Sequence, residues 1–324
     1  MKIKHLRERD LLSSIRKEFS ASFPGLLLGI GDDAAVVRPG KKLLLLTKDL
    51  LIDGVHFMSS KHPPFLLGRK SLNVNLSDIA AMGGMPKYAL LGLGIPSSFK
   101  QDWLEKFFSG LKSAAVEQDM ALIGGDVSQA RKLTVSVTIM GEAKSIITRK
   151  GAKPNNAIYV SGTLGNAKQG LLLLKKGVKL GDSKESDCLL KSFLDPSSQV
   201  SLGIELNRLQ AASSMIDISD GLSVDLLHIC QESGWGALIH LDSLPLSSDL
   251  LSFQRRPFNF ALHGGEDYQL LFSVPTEKEG SIFKLQKKYK ITRIGQIIKE
   301  RRVYVIDRRG KKRPLPARGF QHFD

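Results

Sequence analysis

Apolar and polar positions recur along this chain with two periods, and the change of period divides it into elements. The run "LLLGIGDDAAVV", Leu26 to Val37, carries an apolar strand into a glycine turn, and a short helix is expected ahead of it at the N-terminus. "KLLLLTKDLLIDGVHF" reads as a second apolar strand closed by polar punctuation. A long helix is expected from about Pro64 to Met82, "YALLGLGIP" is a strand, and "QDWLEKFFSGLKSAAVEQ" sets Trp103, Phe107, Leu111 and Ala115 at helical spacing. In "KLTVSVTIMGEA", Leu133, Val135, Val137 and Ile139 alternate with Thr134, Ser136 and Thr138, the pattern of a half-buried antiparallel strand.

Glycine, proline and asparagine interrupt the pattern in "TRKGAKPNN", residues 148 to 156, so the domain boundary is placed there, giving domains 1–147 and 148–324. A second αβ set follows. "AIYVSG" and "MIDIS" are strands, "NAKQGLLLLKKG" and "QVSLGIELNRLQ" are helices, and "LSVDLLHICQESG" is a helix stopped at Gly234. "FALHGGEDYQLLFSV" and "VYVID" read as strands with the helix "EKEGSIFKLQKKYK" between them. The chain thus reads as an α/β protein of the α+β type with two similarly sized domains, and 324 residues suit two cores better than one.

Composition narrows the class. No stretch of about 18 apolar residues occurs and the opening "MKIKHLRERDLL" lacks a signal-peptide core, so a cytoplasmic protein without a membrane span is expected. The two cysteines, Cys188 and Cys230, support neither a disulfide framework nor a zinc site. The formal net charge of +15 points to anionic partners. Its late clusters "KLQKKYK", "KERR" and "RRGKKR" carry little aromatic interleaving and no nucleic-acid-binding signature, so a solvated basic face or phosphorylated small molecules suit them better than nucleic acid.

The turn "GIGDDAA" nearly spells a dinucleotide fingerprint, yet Asp32 and Asp33 would repel a phosphate unless a cation lay between. Taken alone, the turn is either a solvated loop or half of a metal site. Further acids are expected at strand ends, most of them where an apolar run meets a turn: Asp49 ends "LLLLTKD", Asp126 follows "LIGG", Asp217 and Asp220 close "MIDISDG", Glu266 and Asp267 follow "LHGG". Each has a bland reading, Asp220 as a helix cap for instance. In "RKSLNVNLSDIAAMGG", Ser71, Asn75 and Asp78 make a polar stripe on one helical face, where Asp78 demands either a metal or a hydrogen-bond network. Oxygen-only donors favour Mg²⁺, which commonly bridges carboxylates to phosphates. There is no P-loop lysine motif and no protein-kinase signature.

In this order, "GIGDDAAV", "TKDLLIDGVHF", "NVNLSDIAAMGGMP", "LIGGD", "DISDGL" and "HGGEDY" resemble the motifs of the thiamine-monophosphate kinase family, from the superfamily of aminoimidazole ribonucleotide synthetase and selenide water dikinase. The match runs from about Gly29 to Phe320. The resemblance implies two αβ domains with mixed, largely antiparallel sheets and γ-phosphoryl transfer from ATP, the co-substrate, to thiamine monophosphate. It implies several Mg²⁺ ions on Asp33, Thr47, Asp49, Asp78, Asp126, Asp217 and Asp220, with Lys48 offering at most its carbonyl. Lys48 departs from the small polar residue common there in the family. The resemblance further implies nucleotide contacts from Phe108, Gly125, Asp126, Arg149 and Ser219, and acceptor contacts from His56, Glu266 and Phe320. Asp78, Asp126 and Arg149 become the catalytic candidates. A homodimer joined through its N-terminal sheets is implied, with ATP near that interface. The N-terminal domain would hold metal and ATP phosphates, and the C-terminal domain would complete the metal site and bind the thiamine phosphate. The selenide enzyme uses a reactive cysteine near its N-terminus, whereas this chain has none before Cys188; aminoimidazole ribonucleotide synthetase is the less easily excluded relative, and "GVHF" and "HGGEDY" resemble the thiamine enzymes more.

Overall fold

The computed structural model describes residues 24–320, and the helix expected at the N-terminus lies outside them. The N-terminal sheet takes β1 (Leu26–Leu28), β2 (Ala35–Val37), β3 (Leu43–Ile52), β4 (Met85–Ile95), β5 (Ala121–Gln129) and β6 (Thr134–Ala143) in the order β1-β2-β3-β6-β4-β5. All its pairs are antiparallel except β4 with β5. Two helices, α1 (Pro64–Ala81) and α2 (Gln101–Glu117), cross between strands. β6 buries Val135, Val137 and Ile139, as its alternation predicts.

The second sheet takes β7 (Ala157–Ser161), β8 (Ser214–Asp217), β9 (Gly236–His240), β10 (Leu270–Val274), β11 (Ile291–Ile298), β12 (Val303–Ile306) and β13 (Lys312–Pro314) in the order β13-β12-β9-β11-β7-β10-β8. Its helices are α3 (Asn166–Lys175), α4 (Lys184–Leu194), α5 (Val200–Arg208), α6 (Leu222–Ser233), α7 (Ser248–Phe253), α8 (Pro257–His263) and α9 (Glu279–Leu285). Three sequence expectations need correction. "FALHGG" is not strand: Phe258 to His263 belong to α8, and the strand begins only at Leu270. Asp49 and Asp126 lie inside β3 and β5, not at their ends, because the ladders to β6 and β4 run through them. The strands β9 and β11 and the helix α4, not anticipated from the pattern, are also present.

The two sheets share a core. Leu76 and Ile79 of α1 join Val135 of β6 and Tyr159, Met215 and Phe272 of the second sheet in one apolar cluster. α1 is therefore buried nearly all round, with Arg69 and Asp78 the main departures between Leu67 and Ala81. A helix enclosed in this way must satisfy every polar side chain by protein contacts, which makes its polar positions informative.

Candidate active site

Asp33 in the turn before β2, Asp78 on α1 and Asp217 at the end of β8 bring carboxylate oxygens within 4.8 Å of one another. Asp33 and Asp217 are buried and Asp78 is half-buried in the wall of a cavity of about 760 Å³. α1 supplies the scaffold. The Thr47 hydroxyl of β3 donates to Asp78, Ser77 Oγ donates to Asp217 Oδ2 at 2.7 Å, and Asn75 Oδ1 accepts the Asp49 N–H at 2.9 Å. Ser71, the remaining member of the expected stripe, bonds back to the Leu67 carbonyl and serves the helix alone.

Withdrawal from water governs the electrostatics. Burial, followed by the neighbouring carboxylates of Asp49, Asp217 and Asp33, pushes Asp78 well above the ordinary carboxylate range. Burial and then Asp33 push Asp217 up to about 8, and burial pushes Asp49 up to about 6. Asp32 rises to about 7 through burial and then the charge of Asp33. Arg149, on the segment joining β6 to β7, lays its guanidinium on Asp33, with Nη2 to Oδ1 at 2.9 Å, and donates its backbone N–H to Asp32 at 3.2 Å. One guanidinium cannot offset this many carboxylates. The raised values, the oxygen-only donors and the convergence on one point fit a hard divalent cation.

Other expected site residues fall around this centre. Lys48 is exposed between buried Thr47 and half-buried Asp49, since alternation along β3 turns its side chain to the opposite face; only its main chain is near the carboxylates. Ser219 and Asp220 line the cavity in the turn before α6, and Asp220 groups with Asp225 and His228 rather than with Asp33. His56, Glu266 and Phe320 line the cavity as well, with the His56 and Phe320 rings 6.3 Å apart and the Phe320 N–H donating to the Asp220 carbonyl. A side chain at Gly265 would put Cβ 2.6 Å from the Ser219 carbonyl, so glycine lets the Glu266 loop close on the Ser219–Asp220 turn.

Three candidates stand apart in this chain. Gly125 and Asp126 are exposed on the edge strand β5, and Phe108 is exposed on α2. By register Asp126 lies level with Gly92, Ser136 and Leu50, on the face of the sheet opposite Asp49. Gly125 has φ +154°, and a Cβ there would lie 1.9 Å from the Leu91 carbonyl, so this position demands glycine whatever its binding role. Asp267 is a structural acid: it accepts the Gly165 and Ala167 N–H groups at the start of α3. Sequence reasoning passed over Ser77, Asp225 and Lys70 as site residues. Helical spacing could have paired the first with the last, since Lys70 and Ser77 are two turns apart on one face of α1.

Residues 31–143 match the family model "AIR synthase related protein, N-terminal domain" and residues 153–308 the matching C-terminal domain. The thiamine-monophosphate kinase of Aquifex aeolicus is 35% identical over 331 residues, covering 100% of both chains. That of Escherichia coli is 39% identical over 307 residues, covering 91% of this chain and 92% of its own. A solved structure, AaThiL complexed with AMPPCP and TMP, superposes with a TM-score of 0.89 at 34% identity, over 100% of this chain and 99% of its own. The carboxylate cluster, the two-sheet fold and these full-length similarities lead to one conclusion: the chain belongs to the AIR synthase related family, and within it to the thiamine-monophosphate kinases.

Proposed function

We propose that this chain transfers the γ-phosphoryl group of ATP to thiamine monophosphate, giving thiamine diphosphate and ADP. The observation that carries the reading is the meeting of two chemistries in one cavity: the desolvated carboxylates of Asp78 and Asp217, grouped with Asp33, and a wall bearing His56, Glu266 and Phe320. Full-length relatives of that activity support it.

Several Mg²⁺ ions are the cofactor of this reading; Asp33, Asp49, Asp78 and Asp217 with Thr47 would hold them beside Asp220 and the Lys48 carbonyl, and the ions supply charge neutralisation and alignment of phosphate oxygens. The chain's own residues do the rest. Asn75, Ser77 and Thr47 hold the carboxylates in place, so little reorganisation accompanies binding. Arg149, already desolvated against Asp33, meets ATP phosphate oxygens, and Ser219 offers the nucleotide a hydroxyl. The acceptor's phosphate oxygen is anionic and attacks the γ-phosphorus directly; the new O–P bond forms as the bridging bond to the β-phosphate breaks. No side chain need remove a proton, so no aspartate is assigned as base. On the acceptor side, the Phe320 ring stacks on a thiamine ring, His56 flanks it, and Glu266 faces its cationic or amino-bearing part.

In this reading domain 1–147 carries most of the metal and ATP site, and domain 148–324 completes it and holds the acceptor. The chain works as a homodimer in the cytoplasm. Leu50, Tyr88 and Leu90 are 47%, 44% and 45% exposed on the outer face of the first sheet, near β5, its edge strand among the described residues, an apolar surface that a second copy would cover. Gly125, Asp126 and Phe108 then serve the nucleotide from that interface. Among the described residues no helix is long and apolar enough to cross a membrane. Incubation with ATP and thiamine monophosphate, followed by chromatography, should yield thiamine diphosphate only when Mg²⁺ is present. No product, or a chain phosphorylated by ATP alone, would overturn the direct-transfer reading.

A further inference from the structure

Lys70 lies mid-way along α1 with no exposure to solvent. Its ammonium donates to Glu266 Oε2 at 2.8 Å and to the Phe193 carbonyl at 3.0 Å, and sits 3.7 Å from the centroid of the Phe193 ring. Burying an ammonium is unfavourable unless an opposite charge and hydrogen bonds compensate, and Glu266 is the anion it meets.

Glu266 is constrained from its other end too. It has φ +67° and Tyr268 has φ +48°, both in the left-handed region that non-glycine residues avoid. The segment is held there by N–H bonds from Glu266 to the Ser219 carbonyl at 2.7 Å and from Tyr268 to the Ile218 carbonyl at 2.8 Å. Backbone and side chain are thus clamped separately, the one to the metal-site turn and the other to the helix that carries Asp78. Strain of this kind persists where the surroundings overdetermine a geometry, and it concentrates at binding sites.

We propose that Lys70 is a positioning residue of the acceptor site: by holding Glu266 Oε2 it orients the carboxylate so that the other oxygen receives an N–H donor or cationic ring of the acceptor. The pair also resolves an electrostatic conflict. A bare carboxylate beside two phosphate-bearing substrates would repel both, whereas the Lys70–Glu266 pair is neutral at a distance and still presents a local acceptor. The inference rests on the reading of Glu266 as an acceptor contact.

The test is a double-mutant cycle in the full chain with Lys70→Met, Glu266→Gln and the double variant, following kcat and both KM values with melting temperature. Lys70→Met should raise the KM for thiamine monophosphate about tenfold or more, leaving kcat and the KM for ATP within about twofold. The double variant should be no worse for the acceptor than Glu266→Gln alone, because Lys70 acts only through Glu266. If Lys70→Met does not fold, the double variant, which leaves no unpaired carboxylate, decides on the same comparison. Independent multiplying effects, an unchanged acceptor KM in Lys70→Met, or equal weakening of both substrates would overturn the proposal. An unchanged acceptor KM in Glu266→Gln would instead remove the acceptor role of Glu266, and the inference with it.

Discussion

Asp217 shows how a residue's position decides between stability and function. Its carboxyl, buried beside Asp33 and Asp78, is pushed up to about 8, so ionising it in the folded chain without a counter-ion is unfavourable. Replacing it by Asn removes a charge while keeping the volume and an oxygen for Ser77 Oγ. Asp217→Asn should therefore cut turnover about a hundredfold or more, while the metal-free melting temperature at about pH 8 stays the same or rises. Calorimetry beside a kinetic assay separates the two; a large fall in melting temperature would return Asp217 to a structural role. The acid itself was legible in "DISDG", where apolar strand meets turn. Its elevated value was not, because that depends on burial and then on Asp33, distant in sequence and adjacent only in the fold, while the bond from Ser77 opposes the rise.

At the scale of elements, α1 joins core to site. A Cβ at Gly68 would fall 2.0 Å from the Phe107 carbonyl, so α1 and α2 approach backbone to backbone there. Gly68→Ala should cost about 1–3 kcal/mol, read as a lower denaturation midpoint, and should depress activity because α1 carries Asp78 and Lys70. The first sheet makes a different prediction. Leu90 is exposed on its outer face, so Leu90→Asp should leave the monomer's fold intact and halve the mass measured by light scattering. An unchanged dimer mass would move the proposed contact off this face, and a parent chain already monomeric would remove the proposed dimer. The helix α1 and strand β6 were readable from periodicity, yet the 263–269 segment was misread as strand. The apolar residues just before it, Phe260 to Leu262, belong to α8, and Glu266 and Tyr268 donate their N–H groups to the Ser219 and Ile218 carbonyls, so the strand forms only from Leu270.

For the whole molecule, the raised carboxyls link stability to pH and to metal. Asp217 moves from an ordinary 3.8 to about 8, so over that interval the folded chain holds a proton that the unfolded chain has released. Stability from this group is present below about pH 4 and is lost as pH rises through about 8. Asp49, raised to about 6, acts in the same direction over a narrower window. The metal-free chain should therefore melt lower at about pH 8 than at about pH 5 as far as these groups decide, and Mg²⁺ should raise the melting temperature more at about pH 8, where fewer protons compete. Thermal scans in chelator and in Mg²⁺ at both pH values read this directly; an equal Mg²⁺ increment at both would contradict the assignment of the cluster as the metal site.

By themselves the residues determined the αβ organisation, the long central helix, the alternation of β6 and the oxygen-only chemistry of the acids, because each rests on local spacing and side-chain type. They also carried the order of motifs that marks the family. Only the tertiary structure decided which acids meet: Asp33, Asp78 and Asp217 come together from a turn, a helix and a strand end, Asp126 falls on the far face of the first sheet, and Asp267 is spent on capping α3. It alone paired Lys70 with Glu266, 196 positions along the chain. Period and composition report what a segment prefers; which charges share a buried space is set by how the two sheets close on α1, and that closure is not written in any one segment.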